Sequence, residues 1–249
     1  MNDQSYKPSN LNIKRFESLS STNEHAKQCL ENDEPCPFWI VSDEQTGGRG
    51  RQGRDWVSIK GNLYTSSAQI INANGSKLGG LSLVTALAVY DAIQKNSQTP
   101  LDLTLKWPND ILINGAKLGG ILIENVSKPD AEFSHVVIGV GVNIQSSPVV
   151  EGRDTTCLAN YDYFISRDAL LLALIETLNH WIKRWDNGNN FAEIRQAWCE
   201  KAAPIGAPLS VRIGHERIEG KFAGLDEKGA LKLELEDNSI KLITGGELL

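Results

Sequence analysis

Residues 103–124 constrain the fold more than any other part of the chain. Two short runs with strand character, Leu103–Lys106 and Ile111–Ile113, precede Asn114-Gly115. Asn-Gly between apolar runs is the strongest short-range signal of a β-hairpin, because both residues tolerate the positive φ of a tight turn. The return strand is expected to include Ile121–Glu124. The segment therefore predicts adjacent antiparallel strands.

The spacing of apolar residues predicts further strands and helices. The β-branched run Val136–Ile144 suits a buried central strand. Ser21 and Glu24 have the spacing of a capping box, in which side chains satisfy free backbone N–H groups, and predict a helix to about Leu30. Asn190 and Glu193 are spaced in the same way ahead of a helix ending at Lys201. The remaining predictions are strands at Phe38–Val41 and Asn62–Ile70 and helices at Leu78–Lys95 and Arg167–Trp185.

The pattern changes after Ala203-Pro204. Short runs of alternating apolar residues follow, separated by glycine-containing turns such as Asp226–Gly229. This pattern predicts a small β-barrel over residues 204–249, which is expected to pack on a larger domain of residues 1–203, because so small a unit is marginal alone. The fold class is therefore predicted to be α+β.

Charge argues against one broad class of partner. The 249 residues carry a formal net charge of -6, and the sequence pI is about 5.3. A global basic surface for nucleic acid is therefore excluded, while a local basic patch stays open. The polar N-terminus lacks the apolar core of a signal peptide, and no apolar run approaches the ~20 residues that span a bilayer. A cytoplasmic protein is expected.

Cysteine and histidine spacing gives no sign of a zinc site. The cysteines stand at positions 29, 36, 157 and 199 without a CxxC pair, and the four histidines lie far apart. Structural zinc sites need closely spaced ligand pairs. Free thiols in a reducing compartment are the expected state.

The stretch Gln45–Arg54, QTGGRGRQGR, is rich in glycine and arginine and is not expected to form regular structure. Glycines let backbone N–H groups approach an anion closely, and arginines add bidentate donors for phosphate or carboxylate. The stretch is not a P-loop, because no Gly-Lys-Ser/Thr follows, and its glycine spacing is not that of a dinucleotide fingerprint. A flexible basic surface loop is an equally good reading of this string alone.

A second group of chemically active residue types lies at Leu105–Asp110, LKWPND. This string places a cation, an aromatic face, an amide and a carboxylate within six residues. Lys117 follows the predicted turn and precedes Gly119-Gly120, where backbone could again approach a ligand. A well-formed hairpin with Asn-Asp turn chemistry is the structural alternative.

Two further segments are weak evidence of a functional site when each is taken alone. Ser21-Thr22-Asn23 offers hydroxyl and amide groups to a small polar heterocycle, but a helix cap explains it equally well. Gly139–Asn143, GVGVN, ends an apolar strand in an amide, which often satisfies only local backbone.

Taken in order, these segments resemble the biotin–protein ligase family. The similarity rests on Ser21–Asn23, the Gly48–Arg54 loop with Trp56, and Lys106–Asp110. It also rests on Lys117–Glu124, Gly139–Asn143 and the closing Thr244–Glu247. The resemblance extends over nearly the whole chain. Members that double as repressors carry an N-terminal winged helix-turn-helix of roughly sixty residues, for which Ser21 comes too early. The monofunctional form is therefore expected.

The resemblance implies a fold, a reaction and a set of substrates. The fold would be a mixed sheet flanked by helices, related to class II aminoacyl-tRNA synthetases, with a C-terminal Src-homology-3-like barrel. The reaction would join biotin and ATP into biotinyl-5'-AMP and diphosphate, with Mg²⁺, and then transfer biotin to a lysine of a biotin carboxyl carrier protein. No specific DNA binding and no membrane association are implied. A monomer or a weak, ligand-dependent homodimer is expected.

The resemblance also implies roles for individual residues. The biotin-binding residues would be Ser21, Thr22, Asn23, Gln45, Gly48, Arg49, Gly50, Arg51 and Lys117. The ATP-binding residues would be Arg51, Arg54, Trp56, Asn109, Asp110, Lys117 and Asn143. Arg51, Lys117 and Asp110 would be catalytic, and Asp110 would hold the metal. The nearest alternative enzyme is a lipoate or octanoate ligase, and an alternative of another class is a non-catalytic biotin-responsive module or adaptor.

Overall fold

The computed structural model of the protein describes residues 11–73, 75–97, 99–126 and 133–248. The polar N-terminal decapeptide, in which no signal peptide was expected, lies outside these ranges. Within them, no helix combines the length and apolar character needed to cross a bilayer. The four cysteines are free thiols, as expected.

A seven-stranded mixed sheet forms the larger part of the molecule, in the order β1-β2-β3-β7-β6-β5-β4. β1 and β2 are parallel, and all the other neighbouring pairs are antiparallel. The strands are β1 Ile13–Leu19, β2 Phe38–Gln45, β3 Leu63–Ile71, β4 Leu103–Lys106, β5 Asp110–Ile113, β6 Ala116–Val126 and β7 Ser134–Val142. The mixed sheet and the α+β class are therefore confirmed.

The predicted hairpin forms where the Asn-Gly pair lies. Asn114 and Gly115 adopt φ of 48° and 80° between β5 and β6. Both values are positive, as a tight two-residue hairpin turn requires. This turn pairs Ile113 with Ala116 and Leu112 with Lys117, and a one-residue register shift beyond Leu112 then places Asp110 opposite Gly120.

Helices flank both faces of the sheet. They are α1 Thr22–Glu31, α2 Gly75–Leu78, α3 Leu81–Lys95, α4 Arg167–Trp185 and α5 Phe191–Glu200. α1 covers one face over a small apolar cluster, and α3, α4 and α5 cover the other face over the main core. The helix predicted over Leu78–Lys95 is interrupted, because Gly79-Gly80 separates α2 from α3.

The two predicted helix caps differ in outcome. Ser21 caps α1, and its hydroxyl accepts a hydrogen bond from the Glu24 N–H, so the serine cap and the start of the helix are confirmed. The Glu24 carboxylate, the other half of the predicted capping box, pairs with Arg49. The cap predicted at Asn190 and Glu193 is wrong. The Asn190 amide donates to the Arg184 carbonyl, and the Glu193 carboxylate pairs with the Arg184 guanidinium. The short connection from α4 brings Arg184 close enough to take both partners.

A second, five-stranded antiparallel sheet follows α5, in the order β11-β10-β9-β8-β12. Its strands are β8 Pro208–Ile213, β9 Glu216–Leu225, β10 Leu231–Glu234, β11 Ile240–Ile243 and β12 Glu247–Leu248. It packs on the larger sheet through one continuous apolar core, as expected for so small a unit. The buried Trp107 indole also donates a 3.1 Å hydrogen bond to the Gly229 carbonyl. The division at residues 203 and 204 stays a prediction.

Candidate functional site

One pocket opens at the junction of the two sheets. It encloses about 910 Å³ including its mouth, a size ordinary for a small-molecule site. The predicted site residues on its wall are Ser21, Thr22, Asn23, Gln45, Arg49, Gly50, Arg51, Arg54, Trp56, Asn109, Asp110 and Lys117. Gly48 and Asn143, also predicted for the site, are buried behind this wall.

Uncharged polar groups form the end of the pocket beside β2 and β3. The buried Ser66 hydroxyl lies 2.7 Å from Thr22 Oγ1 and donates to Asn23 Oδ1 at 2.6 Å. Gln45 Oε1 accepts from the Thr22 backbone N–H at 2.8 Å, and Gln45 Nε2 donates to Ser58 at 3.1 Å. The capping serine thus begins a helix whose first turn is fixed by buried hydrogen bonds.

The orientation of the Asn23 amide is determined by a carboxylate on β6. Asn23 Nδ2 donates to Glu124 Oε2 at 2.7 Å, and Glu124 also pairs with Lys27 at 2.5 Å. Asn23 rests against Gly139 of β7, where an added Cβ would overlap its Oδ1. Neither Ser66 nor Glu124 was given a role from the sequence, because each reaches the site only through pairing with distant strands.

Glycines of β6 and β7 form the floor in the middle of the pocket. The Trp56 indole lies on Gly120 and Gly141, and a Cβ at Gly141 would stand 2.6 Å from its ring. Lys117 Nζ lies 5.4 Å from the ring centroid. The buried Trp56 Nε1 has no hydrogen-bond partner among the described residues. Glycine is therefore required here to let an aromatic ring lie flat on the sheet.

The glycine-arginine loop folds back on itself as a narrow hairpin. Gly50 N–H donates to the Arg54 carbonyl at 2.7 Å, and Trp56 N–H donates to the Gly48 carbonyl at 2.9 Å. A short 3₁₀ turn, Arg51–Gly53, forms the tip, with Gln52 at a φ of 57°. The loop is thus largely irregular, as predicted, and its fold directs Trp56 onto the floor.

Charged groups gather toward β5, β4 and the second sheet. Lys117 Nζ lies 2.6 Å from Asp110 Oδ1, and both side chains are mostly buried. Arg51 donates to Asn109 Oδ1 at 3.4 Å, and the pKa of its guanidinium is lowered by burial. Burial likewise lowers the pKa of Lys106. Because these cationic side chains are partly buried, water screens their charge poorly.

The wall carries more basic than acidic groups, although the whole chain is acidic. Six basic side chains face three acidic ones. The basic set is Arg49, Arg51, Arg54, Lys106, Lys117 and Arg153, and the acidic set is Asp55, Asp110 and Glu247. The order of strands places Lys106 and Lys117 away from the uncharged groups at β2 and β3, whereas Arg49 pairs with Glu24 of α1. The pocket therefore suits a ligand with a neutral polar head and anionic groups at its other end.

The buried Asn143 has one free acceptor. Its Nδ2 donates to the Thr156 carbonyl at 3.0 Å, while its Oδ1 has no partner in the part of the chain that the structure describes. A buried unsatisfied acceptor is costly and needs an explanation. It is available to a donor that reaches behind the pocket wall.

Comparison with known proteins gives consistent matches. Residues 15–143 match the biotin/lipoate A/B protein ligase family, and residues 205–248 match the biotin protein ligase C-terminal domain. The chain is 36% identical over 203 residues to a biotin–[acetyl-CoA-carboxylase] ligase of Paracoccus denitrificans, covering 78% of this chain and 83% of that protein. A ligase of the same name from Mycobacterium tuberculosis is 31% identical, covering 83% and 76%.

A solved structure is similar over almost its whole length. The biotin protein ligase from Aquifex aeolicus in complex with biotin and ATP aligns with a TM-score of 0.79 at 29% identity. The alignment covers 96% of this chain and 97% of that one. The similarity therefore includes both sheets.

Proposed function

The chain belongs to the biotin/lipoate A/B protein ligase family, and we propose that it is an ATP-dependent biotin–protein ligase. Biotin and ATP give biotinyl-5'-AMP and diphosphate, and the biotinyl group then passes to a lysine of a biotin carboxyl carrier protein. The observation that carries the proposal is the pocket itself, which joins a neutral polar end to a cationic end. Relatives named for this activity support it.

The neutral end would bind the ureido ring of biotin. That ring offers N–H donors and a carbonyl acceptor, so it requires amides and hydroxyls rather than charges. Ser21, Thr22, Asn23 and Gln45 supply such groups on fixed backbone, and the hydrogen bonds from Ser66 and to Glu124 restrict their orientation. Preorganised polar groups lower the entropic cost of binding.

The loop residues Gly48–Arg51 and Lys117 would bind the biotin carboxylate and the α-phosphate. The first step brings these two anions together, and two unit charges 4 Å apart repel by about 4 kcal/mol at an effective dielectric of 20. Arg51 and Lys117 offset this repulsion as the carboxylate oxygen attacks the α-phosphorus and diphosphate leaves. A side-chain nucleophile is not required, because the acyl-adenylate is itself the activated species.

The nucleotide would lie across the middle of the pocket. We assign adenine to the Trp56 ring and to the free Oδ1 of Asn143, which can accept a hydrogen bond from the exocyclic amine. Arg54 and Asn109 would contact the triphosphate. Since Asn143 lies behind the wall, adenine must enter deeper than the pocket now reaches.

Asp110 is suited to the Mg²⁺ that accompanies ATP. Magnesium in nucleotide sites is held by one or two carboxylates together with phosphate oxygens. Among the described residues no three acidic, histidine or cysteine side chains form a ready-made metal site, and Asp110 is the carboxylate beside Lys117. The bound ion would neutralise phosphate charge.

In the second step the ε-amine of the carrier lysine would attack the activated carbonyl and release AMP. The attacking amine must be neutral, and its ordinary pKa is about 10.4, so a nearby base is needed. Asp110 is our candidate for this base. The loop around Arg51 would exclude water until the carrier arrives, because the mixed anhydride hydrolyses.

Isotope exchange between pyrophosphate and ATP tests the proposed function. We expect exchange that requires biotin, followed by biotin transfer to a carrier domain. Exchange driven by lipoate or octanoate would assign the chain to the other branch of the family. Biotin binding without any exchange would indicate a non-catalytic module.

A further inference from the structure

Three arginines from three separate segments converge on one carboxylate. Glu247 of β12 accepts from Arg54 of the glycine-arginine loop at 2.6 Å and from Arg212 of β8 at 2.5 Å. Arg153, in the connection after β7, donates to the same Glu247 Oε1. The Glu247 side chain is 14% exposed. One carboxylate cannot balance three guanidinium groups, so the cluster carries excess positive charge.

Arg153 is held in place by the backbone of Lys117. The Lys117 N–H donates to the Asp154 carbonyl at 2.9 Å, and the Thr156 N–H donates to the Lys117 carbonyl at the same distance. The segment that carries Arg153 therefore runs as a short parallel bridge beside Lys117. Arg153 and Lys117 consequently keep a fixed relation to each other on the pocket wall.

Of the three arginines, two face the pocket and one does not. Arg153 and Arg54 line it, together with Glu247, whereas Arg212 reaches Glu247 from outside the lining. Lys106 also belongs to this end, and both Arg153 and Glu247 act on its charge. The pocket therefore ends in a group of cations beyond Lys117 and Asp110.

We propose that Arg153, acting with Arg54, binds the β- and γ-phosphates of ATP. Glu247 holds both arginines in position before the nucleotide binds. This inference rests on the proposed function. The comparisons and the sequence motifs assign no role to Arg153.

Phosphate binding by Arg153 and Arg54 is consistent with the negative charge that develops on diphosphate in the first step. As the biotin carboxylate oxygen bonds to the α-phosphorus, the bond from that phosphorus to the bridging oxygen breaks, and the electron pair leaves with diphosphate. The departing diphosphate gains negative charge at the end of the pocket where Arg153 and Arg54 lie. Guanidinium groups bind two phosphate oxygens at once, so they suit this leaving group better than an ammonium would.

Matched arginine variants test the proposal. Arg153→Gln and Arg212→Gln each remove one guanidinium from Glu247, but only the first removes it from the pocket. For Arg153→Gln we expect the KM for ATP and the Kd for magnesium pyrophosphate to rise about tenfold or more, with the Kd for biotin unchanged. Arg212→Gln should match the unmodified protein in all three constants. Arg153→Lys keeps the charge without the paired donors and should give intermediate values.

Two results would overturn this role. One is equal ATP and pyrophosphate constants for Arg153→Gln and the unmodified protein. The other is an equal loss in Arg212→Gln, which would mean that the cluster only joins the two sheets. Calorimetry with magnesium pyrophosphate requires no turnover, so it reports on Arg153 even if biotin-dependent exchange fails. Failure of the inference is therefore distinguishable from failure of the proposed function.

Discussion

Asn23 Nδ2 donates a 2.7 Å hydrogen bond to Glu124 Oε2, across 101 positions of sequence. The Asn23 Oδ1 meanwhile accepts from Ser66. Together these two bonds fix which side of the amide donates and which accepts. The donor and acceptor pattern offered to a ligand at the neutral end therefore depends on a carboxylate that needs no contact with the ligand.

We predict that Glu124→Ala weakens biotin binding by about tenfold and leaves the KM for ATP unchanged, because the Asn23 amide loses the acceptor that orients it. Isothermal titration with biotin measures the effect. Glu176→Ala is the matched control, since Glu176 pairs with Lys95 on exposed helix surface. Equal biotin affinity in the two variants would contradict a positioning role for Glu124.

A substitution at Gly139 tests the close contact between this glycine and the Asn23 side chain. A Cβ at position 139 would overlap Asn23 Oδ1, so Gly139→Ala should displace Asn23 and lower the free energy of unfolding by about 1–3 kcal/mol. Biotin affinity should fall as well. Gly79→Ala is the control, because an added Cβ there meets no atom of the described residues within 4 Å. Urea unfolding checks the first expectation, and an unchanged midpoint for Gly139→Ala would show that the contact relaxes freely.

Much of the fold could be predicted because its signals are local. The Asn114-Gly115 turn and the Ser21 cap depend on residues within four positions of each other, and both form as expected. The cap at Asn190 failed because its partner Glu193 pairs with Arg184 of the preceding helix. A spacing rule describes one helix end and carries no information about a neighbouring helix.

The residues of the candidate site likewise fall into those that could be located from the sequence and those that could not. Segments with compact motifs, such as Lys106–Asp110, could be located from the sequence and do line the pocket. Ser66 and Arg153 could not, because each is a common residue type in an ordinary strand or loop, and Glu247, although it ends the recognised Thr244–Glu247 segment, was given no role in the site. Arg153 and Glu247 line the pocket because of the bridge beside Lys117 and the docking of the second sheet. Ser66 is buried, and the pairing of β3 within the sheet places it against Thr22 and Asn23. The ligand roles of the located residues stay predictions.

The Glu247 cluster predicts a pH dependence of stability. Burial would raise the pKa of Glu247, but hydrogen bonds from Arg212 and Arg54 outweigh it and hold the pKa below its ordinary value of 4.5. A lowered folded pKa contributes stability above pH 4.5 that is lost as the pH falls through the folded value. The difference in unfolding free energy between the unmodified protein and Glu247→Gln should therefore be constant near neutrality and shrink below pH 4.5. A difference independent of pH would contradict ionic pairing.

Lys117 gives the most direct test of how the pocket promotes adenylation. Its ammonium lies 2.6 Å from Asp110 and 5.4 Å from the Trp56 ring centroid, between the neutral end and the cationic end. A cation there stabilises the charge that builds up as the carboxylate meets the α-phosphate, and its contribution is greater in the transition state than in the ATP complex.

We therefore predict that Lys117→Met lowers the rate of biotinyl-5'-AMP formation by about a hundredfold or more, while the Kd for ATP changes by less than about threefold. Rapid-quench measurement of the first turnover separates the two constants. Lys60→Met is the control, because Lys60 is 69% exposed and pairs only loosely with Glu44 at 3.7 Å. A weaker Kd for ATP with an unchanged first-turnover rate would show that Lys117 binds the ground state and the transition state equally, and would remove it from the catalytic group.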